Sequence, residues 1–294
     1  EVSAKSKCFK IVFSNPQVFG IFKLQLKEKL MTFDTIRFEK SEQIATITLN
    51  RPENMNTYNV GMLNELLTAL EETAVNEEVR AVILTGEGRA FCAGADVKGV
   101  EALISLQEVR KPSQDTLNLI VQAVLAIRQM PKPVVAAVNG VAAGGGANFV
   151  LACDMVIASE KAKLAENFIN IGLVPDGGGT FFLPQQIGYH RTAEIIFTGK
   201  ILSAQEAFDL GLYNRVVPPE EVSEAAWNLA QELAHKPTLA IAAGKSILNR
   251  EVIPRLRAYL EDEAHQQRMM VATQDAREGM TAFLEKRKPT FLGK

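Results

Sequence analysis

Apolar and polar positions alternate from Gln43 to Asn50, with Ala45, Ile47 and Leu49 set against Thr46 and Thr48. This period of two predicts a half-buried strand, ended by Arg51-Pro52 because proline cannot continue a central ladder. From Asn59 to Val75 the pattern changes period, and Met62, Leu63, Leu66, Leu67 and Leu70 fall on one helical face. Short apolar runs at Ala81–Thr85, Pro133–Val138 and Asp154–Ala158 read as further strands, and Glu101–Met130 reads as helix broken at Pro112. Beyond Ser203 the pattern is mostly helical as far as Arg287. Strands alternating with helices over the first two thirds predict an α/β fold. No fixed-period sequence repeat and no low-complexity linker stands out.

The stretch from Pro133 to Cys153 carries no charge and is long enough to cross a bilayer. Its opening proline, Asn139, Asn148 and the run Gly144-Gly145-Gly146 argue instead for a buried strand, a glycine turn and a buried helix. The first thirty residues differ from the rest. They are rich in lysine and phenylalanine, show no clear period, and hold no arginine. They lack a cleavage signal, so an upstream extension fits better than a targeting presequence. The expected organisation is therefore an extension at 1–30, a core at 31–223 and a helix-rich region at 224–294.

Composition narrows the function. The chain has 294 residues, 47% of them hydrophobic and 22% charged, with a net charge of -2. Near-neutrality gives no electrostatic reason to expect nucleic acid or an anionic membrane as partner. The three cysteines, Cys8, Cys92 and Cys153, follow no disulfide or metal spacing, which suits a reducing, cytoplasmic setting. The histidines His190, His235 and His265 are scattered, so no metal is expected, and His190 reads as a surface residue. Gly244-Lys245-Ser246 fails as a phosphate loop because Leu239 stands where that motif needs glycine.

Two glycine clusters remain. In Gly140–Asn148 the glycines lie between an apolar strand and an apolar helical run. Free N–H groups at a helix start can hold a developing oxyanion; a tight turn with close packing is the plainer reading. In Pro175-Asp176-Gly177-Gly178-Gly179-Thr180 the acid is either a positioned base or an ordinary turn and cap residue.

Ala90-Phe91-Cys92-Ala93-Gly94-Ala95-Asp96-Val97-Lys98, with Pro133–Asp154, Leu202–Gly211 and Arg277–Phe283, resembles the crotonase (enoyl-CoA hydratase/isomerase) superfamily from about Phe33 to Lys294. Among its branches the motifs are most similar to the phenylacetate-pathway enoyl-CoA isomerase. The resemblance implies a superhelix of repeated β-β-α units with a C-terminal helical region that builds trimers, often paired into hexamers. It implies an acyl-CoA thioester as substrate, with coenzyme A part of that substrate and no separate cofactor. It places the oxyanion donors at Ala95 and Gly145, and substrate contacts at Ala93, Asp96, Val97, Lys98, Gly144 and Phe168. Phe283 and Lys286 would reach a neighbouring subunit's nucleotide.

Two departures bear on the chemistry. Hydratases of this family use two glutamates, and here those positions hold Asn148 and Phe168. Asparagine orients but does not exchange a proton at useful pH, and phenylalanine does neither. Asp176 stands where the isomerase branch carries its proton shuttle. The resemblance thus implies an isomerase moving a double bond with Asp176 as single base and Asn148 orienting. Rearrangement of a strained epoxide or oxepin is a related possibility. A hydratase is the alternative and would need another acid such as Glu166, which otherwise reads as surface or pocket-rim charge. A non-catalytic binding homologue, for example on RNA, is disfavoured by the near-neutral charge and the intact loop.

Overall fold

The computed structural model describes residues 32–96 and 115–294. Residues 1–31, Val97, Lys98 and the part 101–114 of the segment expected as helix from Glu101 lie outside them. The chain opens with an antiparallel pair, β1 (Ile36–Ser41) and β2 (Ile44–Leu49), followed by helix α1 (Val60–Val75). Then come β3 (Ala81–Gly86), β4 (Ala90–Cys92), α2 (Thr116–Gln129), β5 (Val134–Val138), β6 (Val141–Ala143), α3 (Gly145–Ala152), β7 (Met155–Ser159) and β8 (Lys163–Ala165). The second half holds α4 (Gly179–Ile187), α5 (Tyr189–Thr198), β9 (Ile201–Ser203), α6 (Ala204–Asp209) and β10 (Arg215–Val217). Four helices close the chain: α7 (Val222–His235), α8 (Thr238–Asn249), α9 (Val252–Val271) and α10 (Gln274–Leu284).

The strand pairs explain the fold. In each of β3/β4, β5/β6 and β7/β8 the first strand joins a six-stranded sheet ordered β1-β2-β3-β5-β7-β10. The second joins a four-stranded sheet ordered β4-β6-β8-β9. Strands β2, β3, β5, β7 and β10 run parallel, as do β4, β6 and β8. This is the repeated β-β-α unit wound as a superhelix.

The large sheet is covered on both faces, so β2 is buried throughout apart from Thr46, rather than half-buried as its alternation predicts. Ile47, Leu49, Val82, Leu84, Val134 and Ala136 pack with Leu63, Leu66 and Val124 of α1 and α2. Ile44, Ile83, Val135 and Ile157 face Val222, Ala226 and Ala230 of α7. Thr48 is buried at 4% exposure. Alternation identifies two faces but does not say whether a helix covers the second. The strands β4, β6, β8, β9 and β10 have three residues each, too short to show a period.

The uncharged stretch from Pro133 becomes β5, β6 and α3, and among the described residues no helix is long and apolar enough to cross a membrane. Helix α3 is buried over its whole length. Its start presses against β4: a Cβ added to Gly146 would lie 2.2 Å from the Cys92 carbonyl oxygen. Neither backbone yields there without moving its element. Gly146→Ala is expected to destabilise the fold by about 1–3 kcal/mol. Urea denaturation of the variant checks this, and an unchanged midpoint would contradict the close approach.

Candidate active site

Because β4, β6 and β8 are parallel neighbours, their carboxyl ends lie on one edge of the small sheet. The segments leaving that edge are Ala93–Asp96, Gly144–Gly145 and Glu166–Phe168. Loops at the carboxyl ends of parallel strands are where α/β folds bind ligands.

The first segment pairs with Tyr58. The Tyr58 N–H donates to the Gly94 carbonyl at 2.9 Å, and the Asp96 N–H donates to the Tyr58 carbonyl at 3.0 Å. No peptide bond among the described residues is cis. In a trans peptide C=O and N–H point oppositely, so the Ala95 N–H faces away from Tyr58, out of this pairing. Ala95 is exposed. Ala93 donates to the Met55 carbonyl at 3.1 Å, and Asp96 pairs with Arg51 at 2.6 Å.

The same reasoning applies to Gly145, the first residue of α3. The Gly144 carbonyl accepts from the Asn148 N–H at 3.2 Å, so the Gly145 N–H of that peptide points out of the helix start. Gly144 caps the helix at φ 53°, ψ -131°, a conformation that glycine takes without steric cost. The Phe168 ring would meet a Cβ on Gly144 at 3.3 Å, and the Tyr58 hydroxyl would meet one on Gly145 at 2.5 Å. Tyr58 thus touches both segments, through its backbone at Ala95 and its ring at Gly145. Burial, then the charges of Asp176, Cys92 and Glu166, push its hydroxyl well above the usual range, so it stays neutral.

One turn along α3, about 5.4 Å deeper, lies Asn148, fully buried. Its Nδ2 donates to the Asp176 carbonyl at 2.5 Å, while its Oδ1 has no partner. Asp176 is buried at 7% exposure. Its Oδ2 accepts from Gln267 Nε2 at 3.0 Å, and Oδ1 is unpaired. Burial raises this carboxyl from 3.8 to about 6, with the Gln267 bond opposing the rise.

Asp176 does not cap α4, the plainer role its neighbouring glycines allow. Glu263 of α9 does that from a distance, accepting from Gly178 N–H at 2.7 Å, Thr180 N–H at 3.0 Å and the Thr180 hydroxyl. An anion there suits the positive end of the helix. Burial still lifts Glu263 to about 7.

Glu166 corrects the sequence reading: it is 1% exposed and neither on the surface nor at a rim. Both carboxyl oxygens lack hydrogen-bond partners, and the carboxyl lies 2.9 Å from where a Cβ on Gly179 would stand. Burial first, then Glu263 and Asp176, raise it well above the usual carboxylate range, against a smaller opposing effect from the Asn148 amide. The cause of the misreading is directional. Glu166 directly follows β8, and no local pattern says which way a residue at a strand end points.

Sequence reasoning did not single out Tyr58, Glu263 or Gln267. The last two carried a signal: Leu256, Leu260, Glu263, Ala264, Gln267 and Val271 form one buried stripe of α9. A polar pair inside an apolar stripe marks a buried polar site. Phe283, at 55% exposure, and Lys286 lie on the exposed side of α10 and just beyond it. Helix α10 supports the Phe168 segment from behind, where Ala276 and Met280 pack with Phe168 and Leu173. Among the described residues no group of three or more His, Cys, Asp or Glu is placed to hold a metal. His190 is exposed.

A two-sheet β-β-α superhelix with outward-facing N–H groups and buried acids at one sheet edge is an α/β fold whose edge can hold a developing oxyanion beside carboxyl groups. The family model for enoyl-CoA hydratase/isomerase matches residues 39–294, and the chain belongs to that family. It is 42% identical over 265 residues to a "Probable enoyl-CoA hydratase" of Rhodobacter capsulatus, covering 90% of this chain and 100% of that one. It is 37% identical over 267 residues to the 1,2-epoxyphenylacetyl-CoA isomerase of Escherichia coli, with the same coverage. A crystal structure of an enoyl-CoA hydratase from Mycobacterium avium subsp. paratuberculosis superposes with a TM-score of 0.79 at 31% identity, covering 89% of this chain and 100% of that one. The chain is thus an acyl-CoA enzyme of the hydratase/isomerase family. Relatives of both activities match over the same extent, so likeness alone does not select a branch.

The raised Asp176 carboxyl has a stability consequence. Its folded value lies above its unfolded one, so it favours the folded state at low pH, and this is lost as pH rises from 3.8 to about 6. Asp176→Asn removes the group that must ionise in a buried place. The variant should therefore gain stability relative to wild type across that window, by on the order of 3 kcal/mol at pH 7 and little below pH 4. Denaturation of both proteins at several pH values tests this, and a difference independent of pH would refute it.

Proposed function

We propose that the chain is an enoyl-CoA isomerase of the branch similar to the phenylacetate-pathway enzyme, with Asp176 as the base. The observation that carries the reading is the contrast within one buried cluster. Asp176 is a buried acid with one free oxygen, raised by burial to about 6, whereas the hydratase glutamate positions hold Asn148 and Phe168. A base tuned near neutrality takes and returns a proton readily. The thioester oxygen would lie between the N–H groups of Ala95 and Gly145, where the enolate charge develops. Asn148 would hold the Asp176 backbone, and Phe168 would wall the acyl group. Ala93, Asp96, Val97, Lys98 and Gly144 would line the thioester and coenzyme A path, and Phe283 and Lys286 would meet the nucleotide across a subunit boundary. The second reading is a hydratase, and the buried Glu166 is the observation that favours it.

Asp176→Asn should cut turnover of a 3-enoyl-CoA by at least about 100-fold while thioester binding survives. Asn148→Ala should cost less. In wild type kcat/KM should rise with pH through about 6, as Asp176 ionises. Wild type should exchange α-protons with D₂O faster than it hydrates crotonyl-CoA. Efficient hydration that survives Asp176→Asn and is lost in Glu166→Gln would replace this reading with the hydratase one.

We also propose that the C-terminal helices assemble the chain into a homotrimer or a hexamer. Leu239, Ile247 and Leu248 of α8, Met269 of α9 and Phe283 of α10 are all more than half exposed, and apolar side chains left uncovered on three successive helices favour association. Sedimentation velocity at micromolar concentration should give a multiple of three subunits, and a stable monomer would contradict it.

A further inference from the structure

We propose that Glu166 is a second catalytic residue of this site, supplying a proton to one end of the shifting double bond while Asp176 removes one from the other. This goes beyond a single shuttling base and rests on the isomerase reading. Three observations lead to it.

The first is the restriction on Asp176. Gln267 occupies Oδ2 and Asn148 holds the backbone carbonyl, so one carboxyl oxygen is engaged and only Oδ1 is free. One free oxygen is well placed for one carbon, but a 1,3-shift must serve two. The second is that Glu166 has no structural task. Glu263 spends its oxygens on the α4 start, whereas both oxygens of Glu166 are buried and unpaired. A buried carboxyl that no structural hydrogen bond engages is free to meet a reacting group. The third is ionisation. The charges acting on Glu166 are the carboxylates Asp176 and Glu263, and three acids in one apolar pocket do not all ionise. Burial and the two neighbouring carboxyls all favour the protonated form of Glu166, whereas the Gln267 hydrogen bond favours the ionised form of Asp176. A pair of acids pushed apart by their surroundings is the arrangement of a base with an acid.

The step balances without another reactant. The Asp176 carboxylate takes a proton from C2 of a 3-enoyl thioester, and the C–H electron pair passes into the conjugated dienolate. That dienolate takes the Glu166 proton at C4, which forms the 2-enoyl thioester and leaves Glu166 ionised. The proton on Asp176 is then lost to solvent water and Glu166 takes a proton from solvent water, which restores both.

Isotope transfer separates one acid from two. With a 3-enoyl-CoA deuterated at C2, turned over in ordinary water, wild type should give product with no deuterium at C4. Deuterium carried from C2 to C4 would show one residue doing both jobs and would overturn the proposal. In Glu166→Gln, which keeps shape and neutrality, the ratio of isomerisation to α-proton exchange should fall by at least about 100-fold. A merely structural role would lower both rates together and leave the ratio unchanged, which would also overturn it. Should Glu166→Gln fold poorly, Glu166→Leu takes its place, with the same ratio of isomerisation to α-proton exchange as the readout. If wild type neither isomerises nor exchanges α-protons, the isomerase reading falls and this one with it. If it isomerises with label transfer, only the role of Glu166 falls.

Discussion

The contact on which the site depends is between two backbones: the start of α3 against the end of β4, at Gly146 and the Cys92 carbonyl. It brings a helix N-terminus beside the loop that follows β4. The parallel alignment of β4, β6 and β8 then brings the third segment, Glu166–Phe168, to the same edge. Because α3 has no exposed face, its position is set by packing on every side. An N–H group held this way needs no reorganisation when charge develops in front of it, which is what makes such a donor effective.

The second constraint is electrostatic. Asp176, Glu166 and Glu263 are carboxyl groups brought from a glycine turn, a strand end and a late helix into one buried cluster. Burial alone disfavours charge on each, and proximity makes charge on one oppose charge on the others. The partners differ, and that separates the three. Glu263 has a helix start, Asp176 has Gln267, and Glu166 lies near the Asn148 amide without a hydrogen bond of normal geometry. Folding works against itself here, since ionising a buried acid costs stability that chemistry then uses.

Much of the α/β pattern was legible along the chain. The helix Asn59–Val75 and the runs at Ala81, Pro133 and Asp154 carry enough residues for a period to show, and each forms the expected element within a residue or so. The glycine cluster before Asn148 is legible too, because glycines between apolar runs mark a close approach wherever they occur. The small sheet was not legible, since its three-residue strands carry no period and depend on neighbours for pairing. The covering of the Ile44 face of β2 was also hidden, because it depends on α7, contributed from much later in the chain.

For chemistry the division follows the same physical line. By itself the sequence determined which groups are present: glycines able to bring a helix start close to a strand, Asp176 beside adaptable backbone, and Asn148 and Phe168 where titratable groups would otherwise be. Those are properties of residue type and local spacing, and both survive in an unfolded chain. Only the tertiary structure decided which acids meet and which hold their protons. Glu166, Asp176 and Glu263 come from three elements, and their ionisation is set by the water that packing removes and the partners it supplies. Neither quantity exists until α9 lies against α4 and β8 delivers Glu166 inward.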